Sequence, residues 1–427
     1  MRAHKLFASG SVMGALAALL LAGCVTQETK PIAKINPLQS QQQIANDDLL
    51  DIAVQVFDPG IPPELAMDEE ALAKKRIYPD LRKAEARFIP AALRNTLESS
   101  AQWGAVRVVP ETVEFVDVIV SGRILASTGK HLAVEISAQD ASGREWIAKK
   151  RYESEADLGS YKTDASLRVR DPFQNVYSNI ANDLVQARDK LEVAERREVR
   201  RIAQLRFASD LAPEAMGGYL AKQEVAKDAK SGGLVRVARL PAENDPLIVR
   251  IDRIRDRDAA VIDTLDGYYV GFSEQMRESY GSFRRTSYEE IDKEERARAS
   301  ARTRTLLGVA AVAASIFVPS NCNSTASCNL QSAARYGGAA GGIAGILSGF
   351  KKYADARTHA QSFKELATSF QSEVSTQVID VEGRSLKLTG TAEEQYREWR
   401  SLLKEFHQQE SAPPPPAADV ASAAPAL

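Results

Sequence analysis

Residues 336–350 carry no charged side chain and six glycines, and four of these, Gly337, Gly341, Gly345 and Gly349, recur at every fourth residue. Gly338 and Gly342 widen the row. Few folds tolerate such a segment. In water, six glycines in one helix cost about 5 kcal/mol relative to alanine, which disfavours an isolated soluble helix. In lipid the same row lets two backbones approach closely, and dispersion and Cα–H contacts replace the missing side chains. A second uncharged run, residues 305–319, lies upstream with Leu306, Leu307, Val309, Val312, Ile316, Phe317 and Val318. A polar loop over 321–329 joins the two. The pattern predicts an apolar helix–loop–helix that packs on itself or on neighbouring copies; a Gly/Ala linker or a buried soluble hairpin are the alternatives.

Fifteen helical residues span about 22 Å, short of the roughly 30 Å hydrocarbon core of a typical bilayer. The bacterial outer membrane is thinner than average. The flanks are basic, Arg298, Arg302 and Arg304 before and Lys351, Lys352 and Arg357 after. A hairpin with both flanks outside the cytoplasm would set these charges against the positive-inside tendency of an inner membrane, so insertion into an outer membrane is expected.

The N-terminus supplies the reason to place the flanks outside. Arg2 and Lys5 precede an apolar stretch from Leu6 to Leu21, the pattern of a secretory signal. Leu21-Ala22-Gly23-Cys24 then resembles the lipobox of bacterial lipoproteins. The resemblance implies cleavage before Cys24 and lipidation of that residue, and two or three acyl chains hold a protein on a membrane stably. Val25 in place of aspartate favours the outer membrane in that family. The hairpin of 301–353 is similar to the glycine-zipper segments of outer-membrane lipoproteins. Cys322 and Cys328 are the only cysteines besides Cys24. In an oxidising compartment, two cysteines in one short loop predict a disulfide at the hairpin tip.

The remaining chain reads as an α+β protein. After a signal peptide over 1–23 and a lipidated tether over 24–48, Ile52 to Phe57 alternates as a strand. Residues 80–101 follow with Leu81, Ala84, Phe88, Ala92 and Leu97 near one face and Pro90 as a kink or restart. Strands are expected at 105–109, 116–126, 131–138 and 145–152, with turns at 127–130 and 140–143. A helix then starts at Asp171-Pro172-Phe173 with proline at its first position. Over 49–190 this order resembles the domain of curli-secretion channel and penicillin-binding-protein activator lipoproteins. The counterparts of that family's motifs are Ile52 to Phe57, Asp117 to Gly122 and Asp140 to Gly143, whereas its early glycine-led turn is replaced by Pro59-Gly60-Ile61-Pro62-Pro63.

Residues 191–300 read as a helical, coiled-coil stalk. Positions 247, 251, 254, 261, 265, 268, 272, 276, 280 and 283 form an apolar stripe near heptad spacing, and Asp258 is the one polar miss. Arginines and aspartates alternate over 250–258, a self-paired surface rather than a nucleic-acid patch. Residues 354–409 form a small helix–hairpin–helix module: strands at 374–381 and 385–388, a turn at Glu382-Gly383, and a helix opened by a Thr391/Glu394 capping box with Tyr396, Trp399, Leu402 and Phe406 on one face. The module is loosely similar to phospholipid-associated periplasmic modules. Residues 410–427 are a Pro/Ala tail.

Lys and Arg total 55 against 57 Asp and Glu, so global charge does not advertise nucleic acid as a partner. The chain shows no phosphate-cradling glycine loop, no nucleophile elbow and no metal-ligand spacing; His131, His359 and His407 are scattered, the last two on polar helices. A non-enzymatic protein without cofactor or metal is expected, held on the outer membrane with its bulk in the periplasm. It would self-assemble into a homo-oligomer in a structural or export role. The alternative is a periplasmic binding module that activates or scaffolds a peptidoglycan enzyme.

Overall fold

A computed structural model describes residues 32–111, 113, 115–161, 170–223, 234–316, 377–381, 384–388 and 390–411. It is a mixed α+β structure built on a five-stranded sheet of order β2-β1-β3-β4-β5. The first elements are β1 (Ile52–Gln55), helix α1 (Pro79–Ser99) and β2 (Val106–Val109); then come β3 (Val118–Ser127), β4 (His131–Asp140) and β5 (Glu145–Glu155). β1 lies parallel to both β2 and β3, while β3, β4 and β5 form an antiparallel meander. Period-two burial sets the register of β3, with Val118, Val120 and Ile124 fully buried, while the central β1 is covered on both faces and buries Ile52, Ala53 and Val54 in succession.

Helices α1 and α2 (Gln174–Arg188) cover one face, placing Leu81, Phe88, Leu97, Tyr177, Ile180 and Leu184 in the same core as those strand residues. Pro90 does not break α1. Its missing N–H leaves the Ala86 carbonyl without the usual partner four residues on, and that carbonyl accepts from Phe57 N (2.9 Å) just past β1. Pro172 is not the first residue of α2 either; Phe173 occupies the N-cap, and the Asp171 side chain takes its N–H (2.8 Å).

A second core holds Ala53, Val108 and Val109 together with helix α3 (Val193–Leu211), helix α4 (Pro246–Ile316) and the C-terminal helix α5 (Ala392–Ser411). A short hairpin, β6 (Leu220–Gln223) and β7 (Leu234–Val237), interrupts what reads as continuous helix. The C-terminal strands β8 (Gln377–Val381) and β9 (Arg384–Leu388) pair where the sequence places them. The Thr391/Glu394 capping box forms in full, with Thr391 N donating to Glu394 Oε2 (2.8 Å) and Glu394 N to Thr391 Oγ1 (3.2 Å).

The 71-residue α4 does not stand clear of the domain as a stalk. Its stripe is core: Ile251, Ile254, Val261, Leu265, Phe272, Met276, Tyr280 and Phe283 are all buried, with Tyr269 rather than Tyr268 filling the turn between. Three-and-four spacing serves a core-facing helix as well as a coiled coil, and here the sheet domain supplies the partner surface.

Candidate functional site

Helices α1 and α4 run antiparallel, and side-chain pairs mark the register from end to end. Arg94 Nη2 lies 3.0 Å from Asp266 Oδ2, the Phe88 and Tyr280 rings meet edge-on at 4.9 Å, Tyr78 and Phe283 at 6.2 Å, and Arg76 Nη2 lies 2.6 Å from Glu294. Asp266 also accepts the Val108 N–H (2.7 Å), so α4 takes up a backbone donor of the edge strand β2.

Inside this seam sits a cluster of buried charge. Glu85 is 1 % exposed; its Oε1 accepts from Ser127 Oγ and Tyr280 OH, both at 2.6 Å, and its Oε2 lies 3.6 Å from Arg82 Nε. One turn further, Arg284 Nη1 donates to Asp171 (2.8 Å) while its guanidinium lies over the Tyr280 ring at 3.8 Å. Burial alone would pull the Arg284 guanidinium down, but the charge of Asp171 helps to outweigh it and holds the group well above its usual value. Burial, joined by the charge of Glu85, raises the Tyr280 phenol, so Tyr280 acts as a donor. A cleft of about 760 Å³ opens beside this cluster between Phe88, Thr96, Tyr161, Arg170 and Arg284. The sequence left these charges unmarked because an Arg or Glu on a mixed helix face ordinarily points to water.

The N-terminal strap is fastened to α2. Asn175 and Asn182, two turns apart, each read an extended backbone with both halves of the amide. Ile35 N donates to Asn175 Oδ1 (2.9 Å) while Asn175 Nδ2 donates to Ala33 O (2.8 Å). Leu38 N donates to Asn182 Oδ1 (2.7 Å) while Asn182 Nδ2 donates to Asn36 O (3.1 Å). At its start Ile32 N donates to Asp157 Oδ2 (3.1 Å). Burial alone would raise Asp157, but hydrogen bonds from Ser160 and from the Ile32 and Gly159 backbone outweigh it and lower the carboxyl. A free tether over 24–48 is therefore corrected: from Ile32 onward the segment is docked.

Asp157 belongs to one end of the sheet, together with the β3–β4 turn and the last buried turns of α4. Ala156 N donates to Lys130 O (2.8 Å), Gly129 N to Ser287 Oγ (3.3 Å), and the Lys130 ammonium pairs with Glu295. Gly129 has no alternative here, since a Cβ would sit 1.9 Å from Arg284 O and 2.5 Å from Tyr288 N. Ile291 is the last buried residue among the described side chains of α4, and 295–297 are exposed. The helix then continues to Ile316, about 32 Å past Glu295 at 1.5 Å per residue.

At the opposite end, where β1 and β3 begin, Asp117 is 1 % exposed, accepts the Asp51 N–H (2.9 Å) and lies 3.8 Å from Arg200 Nε. Burial, aided by the Asp51 charge, pushes its carboxyl up from 3.8 to about 6. Between those values the folded chain holds a proton that the unfolded chain has released, so stability falls as pH rises through the window. At 1.36 kcal/mol per pH unit the loss is about 3 kcal/mol. Asp117→Asn is expected to be about 2–3 kcal/mol more stable than the parent at pH 7 and equal to it below about pH 4, by urea unfolding at both. An equal difference at the two pH values would contradict this origin.

Cys24, Cys322, Cys328, Gly337, Gly341, Gly345 and Gly349 all lie outside the described residues, so the structure brings none of them together. The expected Cys322–Cys328 disulfide is withdrawn, because there is no disulfide among the described residues. Short spacing brings two thiols within reach, but a bridge also needs a fixed Cα separation and Cβ direction, which spacing does not set. His131 sits at the start of β4 beside Glu153 (3.3 Å), and His407, expected on a polar helix face, is 5 % exposed in α5. Among the described residues no helix is long and apolar enough to cross a membrane, and no cluster has the makings of a metal site. Compared with known proteins, the chain matches no family model, no curated protein and no solved structure.

Proposed function

We propose that this chain is a non-enzymatic lipoprotein of the bacterial outer membrane, anchored through Cys24. In this reading it self-assembles through the glycine row of its apolar hairpin in a structural or export-associated role. The α+β body over 49–190, with the core-facing part of α4, is the periplasmic platform. Residues 301–353 are the membrane hairpin, and the module over 354–409 ties the returning chain back to the platform. The observation that carries the proposal is α4 itself: it is held by buried charge and aromatic pairs as far as Ile291, then runs on as helix into the uncharged segment that begins at Thr305. A rigid element fixed at one end delivers its other end to a defined place.

Self-assembly is tested by Gly341→Leu with Gly345→Leu, which fills the groove that close helix approach requires. The detergent-solubilised variant is expected to fall to the mass of a single chain in light scattering, while the parent runs as an oligomer. An unchanged oligomeric mass would remove self-assembly through the glycine row.

A further inference from the structure

We infer that the end of the sheet formed by the β3–β4 turn, Asp157–Tyr161 and the exit of α4 faces the membrane, and that the Cys24 acyl chains and the apolar end of α4 enter the same bilayer. The inference rests on the lipid anchoring proposed above and adds an orientation to it. Three features of the described residues meet at this end. The strap begins here, with Ile32 on Asp157. Helix α4 leaves here, through Ser287 on Gly129 and Glu295 on Lys130. The connection from β1 to α1 also crosses here, with Gly60 against the Ile124 carbonyl and Arg76 on Glu294. That connection carries Met67, 97 % exposed and the barest large apolar side chain among the described residues; Leu125, 38 % exposed, lies two residues before the end of β3.

The reach of the two anchors agrees. From Ile32 back to Cys24 the chain extends at most about 28 Å at roughly 3.5 Å per residue. Along α4, the first uncharged residue, Thr305, lies about 15 Å beyond Glu295, and Ile316 about 32 Å beyond it. A bilayer surface within reach of the acyl anchor therefore coincides with the change from charged to uncharged sequence on the helix. Arg298, Arg302 and Arg304 fall at that boundary, where anionic headgroups attract basic side chains. An anchor bound at the other end of the sheet would have no such match, because the start of α4 at Pro246 is about 74 Å back along the helix from Glu295.

The test uses the lipidated full chain with Cys322→Ser and Cys328→Ser, carrying Met67→Cys or Glu243→Cys as the only thiol. Each is labelled with a fluorophore and bound to phosphatidylethanolamine–phosphatidylglycerol vesicles that hold a headgroup-linked acceptor dye. Both positions are exposed, so neither substitution disturbs packing. The Met67→Cys label is expected to lose most of its emission to the acceptor and the Glu243→Cys label to keep most of its own. Equal transfer, or the reverse order, on vesicle-bound protein would overturn the orientation while leaving lipid anchoring standing. A protein that floats free of the vesicles whether or not Cys24 is present would instead remove the anchoring on which the orientation depends.

Discussion

Replacing Glu85 by alanine is expected to cost about 3–5 kcal/mol, the range for removing one partner of a buried charge pair. Glu85 serves three groups at once. Without it Arg82, 3 % exposed, keeps its charge in a buried site, and the hydroxyls of Ser127 and Tyr280 lose their acceptor. Because Ser127 lies at the end of β3 and Tyr280 on α4, the loss also loosens the helix from the sheet. Glu85→Gln keeps an amide oxygen for both hydroxyls and loses only the charge, so its cost is expected to fall well below that of alanine. Urea unfolding of the parent and the two variants, read by tyrosine and tryptophan fluorescence, checks the order. Equal costs for Ala and Gln would mean that the hydroxyl bonds carry nothing.

Trp399→Ala is the second large effect, about 3–5 kcal/mol for a fully buried indole, but it acts on a different connection. Trp399 is 0 % exposed and donates to Asp258 Oδ1 (3.0 Å), and Arg400 reaches both Asp258 (3.4 Å) and Asp210 (2.6 Å). Burial raises the Asp258 carboxyl in spite of Arg400 and Trp399, so removing the indole exposes a carboxylate held at a cost. The expected signature is local: hydrogen exchange in 392–411 rises steeply while the five-stranded sheet keeps its protection. Loss of protection across the sheet as well would show that α5 belongs to the same cooperative unit. Helix α5 seats on α4 near Tyr269 and Asp258, about 70 to 87 Å back along the helix from Ile316. The chain therefore leaves the platform along α4 and is fastened again near the beginning of the same helix.

The sheet was legible in the sequence because the half-buried strand Val118 to Ser127 alternates, whereas Ile52 to Val54, buried on both faces, reads as a short apolar run. The Thr391/Glu394 box was legible because capping needs only local spacing. Asp258 was visible as a polar break in the stripe, yet its partner Trp399 lies 141 residues away and no local pattern links them. The strap over 32–48 carried no signal, since Asn175 and Asn182 bind backbone groups and leave no periodicity on the bound segment. The β6–β7 hairpin was missed because its strands, Leu220–Gln223 and Leu234–Val237, are four residues each in charged surroundings. Buried Glu85 and Arg284 were hidden by their type: only tertiary packing separates them from surface charges. The stripe on α4 was read correctly as apolar, but it was placed in a stalk, whereas it packs against α1, α3, α5 and the edge strand β2 of the same body.

The most direct measurement uses the mature chain exported by a cleavable non-lipoprotein signal with Cys24→Ser, so that no acyl chain is present. Outer-membrane fractions are washed with alkaline carbonate and assayed for the protein. Retention after the wash is the expected result, because a helix fixed to the platform as far as Ile291 and uncharged from Thr305 delivers residues 305–350 to the bilayer without help from the lipid. Complete release of a folded chain would contradict it, leaving the acyl anchor as the sole membrane attachment and 305–350 as a packing element outside the bilayer.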